Sequence, residues 1–331
     1  MACFDSYNRP ISYLRISVTD RCNLRCVYCM PPEGVPPRSH DAILRYEEIE
    51  TVVRAAALLG INKVRLTGGE PLVRLGIVDL VRMLARIPGI DDLSMTTNGL
   101  LLPRYARALA EAGLRRVNVS LDTLHPERFA AIARCGQLAD VLAGIEAARR
   151  EGLEPVKINT VVIRGLNDDE VVDLARKAME EGWNLRFIEW MPVGHVAGVD
   201  VDWRERVVPA AEIRASIEAA LGPLEPAAVD VAAGPARYYR WPGREGTIGL
   251  ITPVSEHFCG ECNRLRLTAD GQLRPCLLSD DELDLRTPLR QGAGTAEVQA
   301  ILARAVAAKP LGHRLAECRS PEEREMSEIG G

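Results

Sequence analysis

Six of the nine cysteines in this 331-residue chain fall into two tight groups, and these groups carry the clearest chemical signal of the sequence. The first has C-x3-C-x2-C spacing and the second C-x2-C-x13-C spacing. Thiols in a leaderless chain from a reducing compartment serve metal or redox chemistry more often than disulfides. The first group is Cys22, Cys26 and Cys29, and the second is Cys259, Cys262 and Cys276. The isolated thiols, predicted to have no chemical role, are Cys3, Cys135 and Cys318.

The first group offers three thiolates from one compact loop. A structural zinc ion takes four protein ligands, whereas a four-iron cluster held by three cysteines leaves one iron open to another ligand. The nearest downstream histidine is His40, too far along the chain to belong to the same loop. The spacing therefore favours an open iron–sulfur cluster, with zinc or plain structural thiols as the alternatives.

The second group is more ambiguous. His257 stands two residues before Cys259, so a Cys3His zinc site is chemically possible beside a second cluster. Spacing alone leaves both open.

The elements that must position these groups follow a repeating βα pattern from about Ile11 to Trp190. Short β-rich runs alternate with amphipathic helical runs such as Glu47–Leu59 and Asp169–Glu181, which indicates a parallel sheet covered by helices. The prediction is an α/β fold, a partial (βα)6 TIM-type barrel. Its strands are predicted at Tyr13–Val18, Lys63–Thr67, Leu93–Thr97, Arg116–Leu121, Pro155–Val162 and Leu185–Trp190.

Unusual residues follow the ends of these strands, where α/β folds build their active sites. The first strand leads into the first cysteine group, and the second ends in Thr67-Gly68-Gly69-Glu70-Pro71. Later strands end in Thr97-Asn98-Gly99, Ser120-Leu121-Asp122 and Glu189-Trp190-Met191-Pro192. One rim is predicted to collect them all.

A smaller second domain is predicted after a helix at Ala210–Leu221 and an Ala- and Pro-rich linker through Pro235. The predicted division is 1–235 and 236–331. The second domain is expected to hold strands, a hairpin at Ala269-Asp270-Gly271, a helical run and a polar tail without helix or strand that ends in Gly330-Gly331. The strands and the helical run are predicted at Thr247–Thr252, Arg264–Thr268, Gln272–Cys276 and Thr295–Ala308.

Composition and charge exclude several classes of protein. The 47% of hydrophobic and 26% of charged residues are ordinary for a folded domain, and the formal net charge of −5 gives no general attraction to nucleic acid or anionic lipid. No run has the length of a signal peptide core or a membrane span. The expectation is a cytoplasmic protein with no nucleic-acid or membrane partner.

Motifs along the whole chain resemble known families. The first cysteine loop, with Tyr28 before its last cysteine, and the Gly68-Gly69-Glu70-Pro71 stretch resemble signatures of the radical S-adenosylmethionine (SAM) superfamily. The run from Phe258 to Leu277 resembles the C-terminal motif of the GTP 3′,8-cyclase family, the first enzymes of molybdenum cofactor biosynthesis. Further resemblance lies in Ser17–Cys22, Arg65–Leu72, Phe187–Met191 and the terminal Gly330-Gly331.

This resemblance implies two [4Fe-4S] clusters, one on each cysteine group, and S-adenosylmethionine bound at the open iron of the first. It also implies radical chemistry on GTP: hydrogen abstraction from ribose C3′, attack on guanine C8 and one-electron reduction. The open iron of the second cluster would bind the guanine ring. The residues implied for S-adenosylmethionine are Tyr28, Gly68, Gly69, Glu70, Ser120 and Met191, where the Glu70 carboxylate would stabilise the methionine ammonium.

A triphosphate needs cations, and the chain contains no G-x4-G-K-[ST] loop, so arginines must neutralise it. By resemblance, Arg264, Arg266, Gly330 and Gly331 also act in catalysis, with the tail entering the cavity near Arg266. Implied partners are GTP, a one-electron reductant, a downstream cyclic pyranopterin monophosphate synthase and a possible second copy of the chain. The residues implied for GTP are Arg15, Lys63, Arg65, Thr96, Lys157, Arg186, Arg264, Leu265 and Arg266, with Asn98 and Asn159 nearby.

Two other functions stay open at this point. A different radical enzyme with an auxiliary cluster, such as a peptide maturase, would explain both cysteine groups but not the arginines or the Gly-Gly end. A zinc-binding protein without catalysis would explain the cysteines alone.

Overall fold

A computed structural model describes residues 3–194, 202–228, 234–317 and 321–330. Cys318 and Gly331 lie outside the described residues. The centre of the molecule is a run of parallel strands alternating with helices, and this confirms the predicted α/β fold. Each predicted strand lies within two residues of an observed one. The six central strands are β3 (Tyr13–Ser17), β4 (Lys63–Thr67), β5 (Asp92–Thr97), β6 (Arg116–Ser120), β7 (Lys157–Val162) and β8 (Asn184–Glu189).

Two later strands extend this sheet at its two edges. Strand β11 (Thr247–Ile251) pairs in parallel with β8, and β12 (Arg264–Leu267) pairs in parallel with β3. Eight parallel strands thus lie side by side, and the described strands form an open sheet. Antiparallel strands continue it outward. They are β9 (Glu225–Pro226) and β10 (Arg237–Arg240) beyond β11, and β13 (Gln272–Arg274) and β14 (Leu283–Asp284) beyond β12.

Strand β9 lies in the segment predicted to be a linker, so that prediction was wrong for Glu225–Pro226, whereas β10 lies just after the segment. Their side chains are exposed or half-buried at the edge of the sheet, and they lack the apolar alternation that signals a strand. The division of the chain at 235/236 stays a prediction. Strands from both sides of it share one sheet.

Helices cover the outer face of the sheet, and an N-terminal hairpin of β1 (Cys3–Phe4) and β2 (Pro10–Ile11) lies apart from it. Helix α1 packs against α10, α3 against α5, and α6 against α8. None of the described helices combines the length and apolarity that crossing a bilayer requires. The helices are α1 (Tyr46–Leu58), α2 (Ile77–Ala85), α3 (Leu102–Glu111), α4 (Pro126–Ala133), α5 (Leu138–Arg150), α6 (Val171–Glu181), α7 (Trp203–Arg206), α8 (Ala210–Leu221), α9 (Arg286–Arg290), α10 (Thr295–Ala307) and α11 (Met326–Ile329).

Alternation along the strands separates the core from the site. In β3 the apolar Leu14 and Ile16 are buried in the core, while Tyr13 and Arg15 line a cavity. Strands β4 to β8 and β12 repeat this pattern, because successive side chains of a strand point to opposite faces. The face that does not meet the helices is therefore polar and charged.

Candidate active site

One cavity on this polar face brings together the first cysteine group, the glycine-rich loop after β4 and side chains from β3 to β8 and β12. Loops at the carboxyl ends of the strands form its rim, as predicted. The residues proposed from sequence that line it are Arg15, Cys22, Cys26, Tyr28, Cys29, Lys63, Arg65, Gly68, Gly69, Thr96, Ser120, Lys157, Arg186, Met191, Arg264 and Arg266.

The first cysteine loop is held by the backbone around it. Backbone N–H groups of Arg25 and Val27 donate to the last carbonyls of α4, at Ala133 and Ile132. Within the loop the Cys29 N–H donates to the Cys26 carbonyl at 2.9 Å. The thiols are therefore held at the rim before any ligand is bound.

Gly69 explains how the glycine-rich loop comes so close to the cysteine loop. A Cβ at this position would lie 2.5 Å from the carbonyl oxygen of Arg21, which is too close for any side chain. The Gly69 N–H donates to the Thr19 carbonyl at 2.8 Å, and the Glu70 N–H donates to the Arg21 carbonyl at 2.8 Å. The glycine therefore allows two loops to join, in addition to any approach to a ligand.

The Glu70 carboxylate is held by hydrogen bonds within the chain. The side chain is fully buried and does not line the cavity. It accepts hydrogen bonds from the Leu72 N–H, the Thr97 hydroxyl and, at 2.7 Å, the Asn98 N–H. Burial raises its pKa to about 7. The carboxylate therefore links the segment after β4 to the end of β5, and its role toward the methionine ammonium stays a prediction.

Burial also controls the first cysteine group. It raises the pKa of Cys22 to about 11 and that of Cys29 to about 12, and it raises the pKa of Cys26 as well. Neighbouring negative charge adds to the effect, from Glu70 at Cys22 and from Glu325 at Cys29. Without a metal these thiols stay protonated at neutral pH.

Tyr28 and Asp122 form a buried pair beside this group. The Tyr28 hydroxyl donates to one carboxylate oxygen of Asp122 at 2.5 Å, and the Val161 N–H donates to the other at 2.9 Å. Burial raises the pKa of Asp122 to about 6. The sequence analysis did not assign a role to Asp122, which ties the cysteine loop to β7.

The cysteine groups fit clusters better than single metal ions. Within the described part of the chain, no three Cys, His, Asp or Glu side chains converge closely enough to ligate one ion. A four-iron cluster takes each thiolate at a different iron, so it needs thiols spread around a common space. The thiols of each group are close enough for the charge of one to raise the pKa of another.

The second cysteine group lies next to the cavity but does not line it. Cys259 begins a short 3-10 helix that ends at Glu261, and the neighbours Phe258, Arg264 and Leu277 do line the cavity. Burial opposes ionisation of Cys262, yet the positive charges of Arg264 and Lys309 lower its pKa to about 7. Burial raises the pKa of Cys276.

Cations dominate the cavity lining: among the described residues, eight basic side chains and three acidic ones line it. One acid, Asp92, already forms a buried ion pair with Arg116. Another, Glu189, accepts hydrogen bonds from Ala210, Val254 and Ser255. The eight basic residues are Arg15, Lys63, Arg65, Arg116, Lys157, Arg186, Arg264 and Arg266.

Burial and mutual repulsion lower the pKa values of several of these basic side chains. Burial and the nearby charges of Arg186, Arg116 and Arg65 lower the pKa of Lys157 to about 6. Burial also lowers the pKa of Arg65 to about 10 and that of Arg266 to about 10. A bound polyanion would relieve both the burial of charge and the mutual repulsion.

Several residues of the cavity were not predicted from the sequence. Arg116, Asp92 and Tyr13 line the cavity, and the Asn118 carboxamide oxygen, in the orientation that satisfies its neighbours, accepts from Arg65 and Arg186. All lie on the same strand faces as predicted residues. The alternation of polar and apolar residues within each strand is the signal that would have found them.

Leu265, predicted with Arg264 and Arg266 to bind GTP, has its side chain in the core. It is fully buried in the hydrophobic core, on the face opposite Arg264 and Arg266. Because alternate residues of a strand face opposite sides, a contact of Leu265 with a ligand in the cavity would be limited to its backbone.

The C-terminal tail reaches the same region. Residues Met326–Ile329 form a short helix, so the prediction of a tail without helix or strand was wrong. Met326 and Ser327 line the cavity, and the carbonyl oxygen of Gly330 accepts a hydrogen bond from Arg266 at 2.6 Å. Gly330 has a φ of +78°, and a Cβ there would lie 2.7 Å from Thr67. Glycine is therefore the residue that fits this position.

Comparison with known proteins assigns the chain to a family. Residues 16–178 match the radical SAM superfamily, and residues 183–315 match the family described as Molybdenum Cofactor Synthesis C. A GTP 3′,8-cyclase of Pelotomaculum thermopropionicum is 58% identical over 328 residues, 99% of both chains. The chain belongs to the GTP 3′,8-cyclase family. A second member of this family, from Moorella thermoacetica, is 53% identical over 328 residues and again 99% of both chains.

Solved structures give the same fold for this cyclase family member at low identity. Streptococcus suis SuiB bound to S-adenosylmethionine matches with a TM-score of 0.59 and 14% identity, over 89% of this chain and 69% of SuiB. Membership in the radical SAM superfamily implies an iron–sulfur cluster and S-adenosylmethionine. The family assignment confirms the resemblance found in the sequence and decides against a peptide maturase and against a non-catalytic zinc protein.

Proposed function

We propose that the chain is a lyase-class GTP 3′,8-cyclase that converts GTP to (8S)-3′,8-cyclo-7,8-dihydroguanosine 5′-triphosphate, the first step of molybdenum cofactor biosynthesis. The observation that carries the proposal is the single cavity that joins a three-cysteine loop to eight basic side chains. A cluster ligand set and a polyanion site in one cavity suit a radical reaction on a nucleoside triphosphate.

Cys22, Cys26 and Cys29 would hold the first cluster, with S-adenosylmethionine on its open iron. When bound, the cluster and S-adenosylmethionine supply the one-electron chemistry that removes hydrogen from ribose C3′. The chain's own contribution is to hold the cofactor against Gly68, Gly69 and Tyr28, with Ser120 and Met191 further along the lining, and to exclude water. We assign Glu70 a positioning role, because its oxygens already accept hydrogen bonds from Leu72 and from the end of β5.

GTP would bind at the basic side of the cavity. Lys63, Arg65, Lys157 and Arg186 would neutralise the triphosphate, and we add Arg116 to this set because it faces the same space. Arg15, Thr96, Arg264 and Arg266 would contact the rest of the nucleotide. Guanidinium groups suit this task because they bind phosphate oxygens in pairs and stay charged at physiological pH.

Cys259, Cys262 and Cys276 would hold a second [4Fe-4S] cluster whose open iron binds the guanine ring. The support is the position of the group beside the cavity, with Phe258 and Leu277 in the lining. Rigid placement of C3′ near the reacting carbon of the cofactor contributes large factors in rate. The tail would complete this alignment through the contact of Gly330 with Arg266.

We further propose a one-electron reductant, transfer of the product to a cyclic pyranopterin monophosphate synthase, and assembly as a homodimer. A reducing cytoplasmic setting suits the chain, because both proposed clusters need free thiols.

The test is anaerobic reconstitution followed by incubation with GTP, S-adenosylmethionine and reductant. We expect 5′-deoxyadenosine and the 3′,8-cyclised nucleotide in equal amounts, identified by mass spectrometry. Omission of S-adenosylmethionine and a Cys22→Ser variant serve as controls. Cleavage of S-adenosylmethionine without any cyclised nucleotide would contradict the proposed reaction.

A further inference from the structure

Lys309 is a buried cation beside the second cysteine group and outside the cavity lining. It follows helix α10 and is only 3% exposed. Its ammonium donates to the carbonyl oxygens of Arg264 and Pro275, each at 2.8 Å, and lies against the thiol of Cys262. An ammonium has three N–H donors, and these three acceptors use all of them.

The two carbonyls belong to the segments that carry two of the cysteines. Arg264 stands two residues after Cys262, and Pro275 immediately precedes Cys276. These segments lead into β12 and out of β13, which pair antiparallel. One side chain therefore fixes the separation of two cysteines that are fourteen positions apart in the sequence.

Charge gives this contact a further meaning. Burying an ammonium is unfavourable unless a negative charge compensates it. Both hydrogen bonds of Lys309 to the backbone end on neutral carbonyls. Among the described contacts of the ammonium, the Cys262 sulfur is the group that can carry negative charge, so the lysine and a cluster would stabilise each other.

We propose that Lys309 is a positioning residue of the second cluster: it spaces Cys262 and Cys276, donates a hydrogen bond to a cluster sulfur and raises the reduction potential of that cluster. The inference rests on the proposed assignment of Cys259, Cys262 and Cys276 as cluster ligands. Because the same ammonium holds the Arg264 carbonyl, it also fixes the start of the strand that presents Arg264 and Arg266 to GTP. Hydrogen bonds to sulfur and nearby charge are known determinants of cluster potential.

Arg9 provides a matched control on the other side of the same loop. It is 4% exposed and donates to the carbonyls of Cys259, Pro310 and Leu311. Its charge is balanced by Asp5 at 2.6 Å. Arg9 therefore braces the loop without an excess charge and without a described bond to a sulfur.

The experiment compares Lys309→Gln, Lys309→Arg and Arg9→Gln in the full-length enzyme reconstituted with both clusters. Iron content is measured first, then the reduction potentials by electron paramagnetic resonance during a redox titration. The signal of the second cluster is the one missing from a Cys259→Ser, Cys262→Ser, Cys276→Ser variant. GTP affinity is measured by isothermal titration.

We expect Lys309→Gln to shift the potential of the second cluster downward, to leave that of the first cluster unchanged, and to weaken GTP binding about tenfold. Lys309→Arg should restore most of both properties, and Arg9→Gln should leave the potential unchanged. If Lys309→Gln fails to load the second cluster, recovery of loading in Lys309→Arg supports the proposal equally.

Three results would overturn it: an unchanged potential in a loaded Lys309→Gln enzyme, an equal shift in Arg9→Gln, or no recovery of either property in Lys309→Arg. A wild-type enzyme that binds only about four iron atoms per chain would contradict the proposed second cluster itself. The role of Lys309 would then be contradicted as well, because it depends on that cluster.

Discussion

The two cysteine groups have the same number of thiols but opposite electrostatic surroundings. Glu70, Asp122 and Glu325 add negative charge around the first group, and the pKa values of all three of its thiols are raised. Arg264 and Lys309 add positive charge around the second, and the pKa of Cys262 falls to about 7. The negative surroundings of the first group match its proposed ligand, because S-adenosylmethionine carries a sulfonium and an ammonium.

The lesson is that cysteine spacing alone predicts neither the charge of the surroundings nor the ligand. The acids near the first group come from the segment after β4, from the segment after β6 and from the tail, which are far apart in sequence. The cations near the second group come from β12 and from the segment after α10. The charge around each cysteine group is therefore determined by tertiary contacts and not by the cysteine motif itself.

The largest effect is expected from removing the first group. A Cys22→Ser, Cys26→Ser, Cys29→Ser variant should lower iron from about eight to about four atoms per chain and abolish formation of 5′-deoxyadenosine. Iron and sulfide determination and chromatography check both expectations. Continued cleavage of S-adenosylmethionine would show that the first group does not hold its cluster.

Removing the second group should separate the two activities. A Cys259→Ser, Cys262→Ser, Cys276→Ser variant should keep some cleavage of S-adenosylmethionine and lose GTP binding and cyclisation. A binding titration beside a 5′-deoxyadenosine assay measures this. Undiminished GTP affinity would mean that the second group does not hold the base.

The C-terminal tail contacts the surroundings of both cysteine groups, because the Ser327 N–H donates to the Cys29 thiol and the Gly330 carbonyl accepts from Arg266. Deleting Gly330 and Gly331 should leave both clusters and S-adenosylmethionine binding intact and abolish the cyclised product. Gly330→Ala should reduce it strongly, because the added Cβ would meet Thr67 at a backbone φ of +78°.

Gly292→Ala is the matched control for that substitution. Gly292 also has a positive φ, of +91°, but a Cβ there has nothing within 4 Å. Gly292→Ala should lower the free energy of unfolding by about 1 kcal/mol and leave product formation unchanged.

Full cyclase turnover in the enzyme that lacks Gly330 and Gly331 would contradict the role of the tail and show that it is an ordinary frayed end.

The contrast in thiol acidity can be measured directly in the cluster-free protein. At pH 8 Cys262, with a pKa of about 7, should be mostly thiolate, while Cys22, at about 11, should be almost wholly protonated. Because the thiolate is the reactive form, alkylation of Cys262 should be at least about tenfold faster than that of Cys22 and should level off above pH 8. Exposed Cys135 reports reagent activity in the same mass-spectrometric experiment. Equal rates for Cys262 and Cys22 would contradict the electrostatic contrast.

The smallest effect concerns Lys157 and the pH dependence of GTP binding. Its pKa is about 6 in the free protein, and a bound triphosphate should raise it. A group whose pKa is raised on binding contributes its full share of binding free energy below the pKa that it has in the free protein. That contribution is lost as the pH rises through the pKa that the group has in the complex. GTP affinity should thus fall by at most about tenfold per pH unit above pH 7, with proton uptake in calorimetry. Lys157→Met should remove the uptake; a pH-independent affinity in the wild type would contradict the expectation.

Much of the fold and site was predictable from local patterns. The six central strands and the cysteine groups follow from alternation and spacing, which are properties of neighbouring residues. Local patterns did not predict the link that Glu70 makes between strand ends, the core position of the Leu265 side chain or the edge strand β10. Glu70 became a link between strands because Thr97 and Asn98 arrive beside it, and β10 forms only because β11 offers it an edge.

The attachment of β11 and β12 to opposite edges of the central sheet has a consequence for protein synthesis. A ribosome that has released residues up to 235 has produced six parallel strands whose outer members, β3 and β8, still lack their partners. Unpaired strand edges recruit other chains, and parallel sheets fold slowly. Residues 247–267 must therefore emerge before both outer strands are paired, and we expect the nascent chain to be most prone to aggregation until then.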